Sequence, residues 1–195
     1  MGRDNKMAQT EVRIAGFGGQ GIVLAGVLLG QAALNDGYYA VQNQSYGAEA
    51  RGGAARSEVI ISDEAVIYPE VVAPQVMVVM SQAALDRYVG DLVPDGTLIV
   101  DADLVQHFPP DLSAVVFRGH FAEVADKELG KPIVANMVML GFLVETTGIV
   151  CYDSLEKAVR SGVPKGTEAL NLKALSYGRD MARETRKNVF ERVIV

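Results

Sequence analysis

The stretch VRIAGFGGQGIVLAGVLLGQAALNDG, residues Val12–Gly37, decides how the chain is read. Its apolar start, Glu11 to Ala15, predicts a strand. Gly16-Phe17-Gly18-Gly19-Gln20-Gly21 predicts a tight turn, and the run to about Leu34 a helix. Strand, glycine turn and helix in that order open many α/β folds. Where side chains are missing, backbone N–H groups approach an anion at the helix N-terminus. Gly16, Gly18 and Gly21 have the dinucleotide spacing. The acid expected about twenty residues on, which would hold a ribose, is absent. That region carries Gln42, Asn43 and Gln44, while Asp36 comes too early and Glu49 sits in the following loop. No Lys-Ser or Lys-Thr pair follows the turn, so it is not a P-loop. Three readings stay open: a dinucleotide site, another ligand or cofactor contact, or a structural turn.

Outward from this stretch, the pattern alternates. Gly26 and Gly30 give the first helix small residues at helical spacing, suited to close packing, and its other positions are apolar nearly all round. YYAVQNQ predicts a second strand. ARSEVIIS and AVIYPEV, joined by Asp63-Glu64, predict two more with a short connection. VMVVM, TLIVDA and AVVFRG are short apolar runs suited to central strands. Helices are expected over Gln82–Leu92, Phe121–Leu129, Asn136–Thr147, Ser154–Ser161 and Leu170–Lys187. This predicts a three-layer α/β sandwich, Rossmann-like, with a mostly parallel sheet and an antiparallel strand insertion. Residues 1–9 are expected to be a flexible leader and 10–195 a single domain.

Composition excludes several classes. With 195 residues, one cysteine and two histidines, no internal disulfide, cysteine-held cluster or histidine-rich metal site is expected; no metal ligand is assigned. His107 and His120 read as ordinary loop residues. A net charge of −6 argues against nucleic acid. No apolar run approaches the roughly 18 residues of a membrane helix, and the polar start is no signal peptide, so a cytoplasmic protein is expected.

A second unusual segment follows the second strand. NQSYGAEARGG, residues Asn43–Gly53, sets Ser45, Tyr46, Glu49 and Arg51 among small residues, and is expected at the carboxyl edge of the sheet beside the glycine turn. Arg51 offers a forked donor set for carboxylate or phosphate; Glu49 and Arg51 equally suit each other or a partner subunit.

Together, GFGGQGIVLAGVLLGQAA and SYGAEARGGAARSEVIIS resemble the gamma subunit of the 2-oxoacid:ferredoxin (acceptor) oxidoreductases. The resemblance continues through VVMSQAALDRY, GTLIVDADLV, EVADKELGKPIVANMVMLGFLVETTGIV and NLKALSYGRD, nearly the whole chain after the leader. It makes residues 10–195 a pyruvate/ketoisovalerate oxidoreductase gamma-type catalytic domain. It implies a complex that oxidatively decarboxylates a 2-oxoacid, joins the acyl group to coenzyme A and reduces ferredoxin. Thiamine diphosphate with Mg, and the iron–sulfur clusters, would be carried by alpha, beta and in some members delta subunits. This chain would hold no cofactor of its own and be inactive alone. Carried over, the family's glycine motif falls on Gly16, Gly18, Gly19, Gln20 and Gly21. Its second loop falls on Ser45, Tyr46, Gly47, Glu49, Arg51, Gly52 and Gly53, and its helix-opening Asn on Asn136. These two loops are the candidate coenzyme A contact. Members often carry an acid where this chain has Gln75, which alters one local contact.

The resemblance favours 2-oxoglutarate over pyruvate and branched-chain 2-oxoacids. The apolar segments NMVMLGFLV and GIVLAGVLLG suggest partner-facing helices, and hence self-association of the isolated chain. The rival readings are a free-standing nucleotide-binding oxidoreductase and a purely structural assembly subunit.

Overall fold

The apolar run before the glycine turn forms the first strand of a six-stranded sheet in the computed structural model, which describes residues 9–46 and 54–192. The strands are β1 (Thr10–Phe17), β2 (Tyr39–Tyr46), β3 (Ala54–Ser62), β4 (Val76–Val79), β5 (Gly96–Asp101) and β6 (Ala114–Gly119). They lie in the order β2-β3-β1-β4-β5-β6. β1, β4, β5 and β6 pair in parallel, whereas β3 runs antiparallel to both its neighbours, β1 and β2. The helices are α1 (Ile22–Asn35), α2 (Gln82–Tyr88), α3 (Phe121–Lys127), α4 (Ala135–Thr147), α5 (Tyr152–Gly162) and α6 (Glu168–Arg192).

The period-2 alternation of the strands sorts their side chains between two cores. Val12 and Ile14 of β1, Val59 and Ile61 of β3, and Val76 and Val78 of β4 face α1 and the helices from α3 to α6. Ala15, Met77, Val79, Leu98 and Val100 face the other way, under α2 with its buried Ala84, Leu85 and Tyr88. Helices therefore cover both faces, unequally. α1 lies close on β3 at Gly26, where a Cβ would overlap the Ser57 hydroxyl. That hydroxyl accepts from Gln42 Nε2 at 2.8 Å.

Two expectations are corrected. AVIYPEV forms no strand, because β3 already has β2 on one side and β1 on the other and offers no free edge. The segment instead crosses irregularly to β4, tied by Asn43 Nδ2 to the Pro69 carbonyl and by Arg13 Nη2 to the Val71 carbonyl at 3.1 Å. The antiparallel hairpin is β2–β3, and Ser45 and Tyr46 belong to its first strand. Second, the apolar helices are not surplus surface. Every residue of α4 from Ala135 to Val144 is buried, enclosed by α1, α3, α5 and α6. α1 leaves only Val27 and Leu34 exposed among its large apolar side chains.

The second face also buries charge. Arg13, 2 % exposed, donates through Nε to Glu58 Oε1 at 2.7 Å and through Nη1 to Asp91, and its guanidinium lies over the Tyr88 ring. A buried cation of this kind is tolerated only when its donors are taken up, as here by two carboxylates and a carbonyl.

Candidate functional site

β2 is parallel to β1 because each is antiparallel to β3, so the carboxyl ends of β1, β2, β4, β5 and β6 share one edge of the sheet. The register places Tyr46, Ala55 and Gly16 in line across β2, β3 and β1, with Phe17 opposite Ala54. Both roots of the 47–53 connection thus stand beside the glycine turn, where the sequence put them. Gly47, Glu49, Arg51, Gly52 and Gly53 themselves lie outside the described residues.

Phe17 ends β1 and opens a turn closed by Gln20 N on the Phe17 carbonyl at 3.2 Å, and Gly21 caps α1 with a left-handed backbone, φ 70°. A Cβ at Gly21 would strike the Asn136 carboxamide, whose Nδ2 donates to the Gly21 carbonyl at 3.1 Å. This fastens the start of α1 to the start of α4 and gives Asn136 a positioning role. No side chain caps α1 and no acid stands in its first turn. Among the described residues, therefore, neither a side-chain cap nor a first-turn acid compensates the positive end of its dipole.

Two cavities flank that helix start. One, about 230 Å³, is lined by Phe17, Gly18, Gly19, Gly21, Ile22 and Ala55 among others, on the β3 side. The other, about 210 Å³ and mainly apolar, lies between the starts of α1, α4 and α6, with Leu24, Ile133, Asn136, Leu170 and Asn171 in its wall.

The Gln20 carboxamide is engaged at both ends. Its Oε1 accepts from Phe17 N at 2.6 Å and its Nε2 donates to the Met80 carbonyl at 3.0 Å. The second partner is 60 residues away in sequence, so no local signal reveals it. Ser45 is exposed at the end of β2. Gln75 Oε1 accepts from Glu11 N at 2.7 Å and ties the start of β4 to β1 at the opposite edge.

Further along the carboxyl edge, Asp101 is fully buried. Its oxygens accept from the backbone N–H groups of Asp103, Leu104 and Ala122, joining β5 to α3. Burial pushes its carboxyl above the ordinary range, against those donors. Nearby, His120 Nδ1 lies 2.8 Å from Asp103 Oδ1 and 3.4 Å from Glu123 Oε2. The Lys127 ammonium 2.6 Å from Glu123 holds that carboxyl below its usual range. Sequence reading passed over this ion-pair cluster, whose members are spread over twenty-five positions.

Comparison with known proteins follows the same lines. Residues 11–181 match the family model described as pyruvate ferredoxin/flavodoxin oxidoreductase. The chain is 51% identical over 183 residues to 2-oxoglutarate synthase subunit KorC of Methanothermobacter marburgensis, covering 91% of this chain and 98% of that one. It is 36% identical over 193 residues to ketoisovalerate oxidoreductase subunit VorA of the same organism, covering 96% of this chain but 39% of that longer one. Among solved structures, it matches the keto/oxoacid ferredoxin oxidoreductase gamma subunit from Geobacter sulfurreducens. The TM-score is 0.83 at 42% identity, over 91% of this chain and 98% of that one. No helix among the described residues is long and apolar enough to cross a membrane.

Proposed function

The chain belongs to the pyruvate ferredoxin/flavodoxin oxidoreductase family, and on that premise we propose that it is the gamma subunit of a 2-oxoglutarate:ferredoxin oxidoreductase. The complex converts 2-oxoglutarate and coenzyme A to succinyl-CoA and CO2, and the two electrons released pass to ferredoxin. The observation that carries this is the 51% identity to a 2-oxoglutarate synthase subunit over nearly the full length of both chains. The lower identity to the ketoisovalerate relative supports putting 2-oxoglutarate ahead of branched-chain 2-oxoacids.

Thiamine diphosphate, Mg and the iron–sulfur clusters belong to the alpha, beta and any delta partners. The single cysteine, exposed at Cys151, supports that division, since a cluster is held by several thiolates. Within the complex, residues 10–195 act as one domain. Its own work is at the carboxyl edge, where the α1 start and the small cavity beside it receive a phosphate of coenzyme A. Helix dipole, uncapped N–H groups and absent side chains suit an anion there. Arg51 belongs to the 47–53 connection, and its guanidinium is of a kind to supply a fixed positive charge. A free-standing dinucleotide enzyme is disfavoured by Gln20, whose carboxamide stands where the turn would meet such a ligand. Without its partners the chain self-associates through apolar groups it does expose, Ile67 and Tyr68 among them, which sedimentation tests.

Arg51→Lys in the assembled complex tests the contact. The expected result is a KM for coenzyme A raised roughly ten- to a hundred-fold, the size of a lost charged hydrogen bond, with assembly intact. Unchanged coenzyme A kinetics would contradict it and leave a scaffolding subunit as the better reading.

A further inference from the structure

β1 and β4 are neighbouring parallel strands whose helices leave to opposite faces of the sheet, α1 to one and α2 to the other. The crevice outside such a pair is where open α/β sheets take their ligands. Here it is spanned from within: the Gln20 carboxamide reaches from Phe17 N on one strand to the Met80 carbonyl at the end of the other. The fit is specific. A Cβ at Gly16 would overlap Gln20 Oε1 and come within 3.1 Å of Met80 Cβ, so the first glycine of the motif makes room for the amide. Met80 N in turn donates to the Ala15 carbonyl at 2.8 Å, and Gln20 N to the Phe17 carbonyl at 3.2 Å, so the crevice is laced at both levels.

We propose that Gln20 is a specificity-determining and positioning residue: its carboxamide occupies the phosphate position of the switch-point crevice and closes it to nucleotides. The amide satisfies the Phe17 N–H that an anion would otherwise take. Its own N–H2 answers the Met80 carbonyl, which would repel an anion. The loop is thereby shaped without any ligand, and the α1 start is left to whatever approaches from the β3 side. This explains a glycine pattern of dinucleotide spacing in a chain with no ribose-binding acid.

The test uses the isolated chain, inorganic pyrophosphate as probe, and amide signals of Phe17 and Met80, with Ile14 as an internal reference for folding. Neither coenzyme A nor a partner subunit enters it, so failure of the coenzyme A reading and failure of this one are separable. In Gln20→Ala the Phe17 amide should exchange about tenfold faster while Ile14 is unchanged. Millimolar pyrophosphate should shift Met80, which lies outside the cavity on the β3 side, in that variant but not in the wild type. Gln20→Glu should not respond at neutral pH, because its carboxylate fills the same space with the anion's own sign. Should Gln20→Ala fail to fold, Gln20→Asn, one methylene short of Met80, is read in the same way. Unchanged Phe17 exchange in the folded variant, absence of a Met80 response to pyrophosphate in it, a Met80 response in Gln20→Glu, or a Met80 response in the wild type would each overturn the proposal.

Discussion

Gly141 on α4 and Gly178 on α6 each lie against the backbone of the other helix. A Cβ on Gly141 would overlap the Leu175 carbonyl, and one on Gly178 the Val138 carbonyl. The two helices run parallel through this contact, as Arg183 to Glu145 at 3.1 Å and Arg186 to the Thr146 carbonyl at 2.5 Å show further along. Their starts consequently meet at the same edge as the glycine turn. Backbone cannot yield as a side-chain end can, so Gly178→Ala should destabilise the chain by about 1–3 kcal/mol or more. Urea unfolding checks this, and a cost within about 0.5 kcal/mol, the range of neutral surface changes, would contradict the contact.

The buried Arg13 gives a second expectation. Arg13→Met leaves Glu58, 7 % exposed, without its close donor at 2.7 Å. Removing one member of a buried ion pair typically costs about 3–5 kcal/mol. Arg13→Met combined with Glu58→Leu should recover much of that, because the orphaned charge is gone. A double variant no more stable than the single one, in the same unfolding measurement, would show that the pair does not carry the effect.

Asp101 sets a pH dependence. Its folded carboxyl value is raised above the ordinary 3.8 by burial, so the native state binds more protons between the two values. The stability this contributes is fully present below 3.8 and is lost as pH rises through the raised value. Asp101→Asn lacks the titration. The wild type's advantage over it should be greatest in acid and narrow as pH rises through that window. Unfolding midpoints measured across the acid range check the sign, and an advantage that grows with pH would contradict it.

Much of this was legible in the sequence. The short apolar runs gave the central strands, since strands buried on both faces need no polar alternation. The glycine turn announced its helix, and the ends of the two strands that flank residues 47–53 stand beside that turn, as the topology requires. What escaped depended on long-range pairing. AVIYPEV has strand composition, but β3 was already paired on both sides. NMVMLGFLV reads as a partner-facing apolar helix; only the packing of α6, a polar sequence by comparison, shows that its cover comes from within the chain. Arg13 interrupts an apolar run between Val12 and Ile14, and that anomaly is the signal that could have found it; Glu58, next to Arg56 and Ser57, gave none. Gln20 gave no sign, because Met80 lies sixty residues on.

Asn136 carries an expectation for the site itself. Its Nδ2 holds the Gly21 carbonyl at 3.1 Å and so sets the start of α1 relative to α4. Asn136→Ala should leave kcat of the assembled complex near the wild-type value while raising the KM for coenzyme A by about fivefold, the worth of one neutral hydrogen bond acting through position. A fall in kcat with KM unchanged would argue against a positioning role.

The most direct measurement of the account is reconstitution. Thiamine-binding and iron–sulfur partner subunits, purified with and without this chain, are assayed for ferredoxin reduction dependent on both 2-oxoglutarate and coenzyme A. The account predicts that activity appears only when the chain is present and that 2-oxoglutarate is turned over in preference to pyruvate and branched-chain 2-oxoacids. Equal activity without the chain, or a preference for another 2-oxoacid, would contradict it.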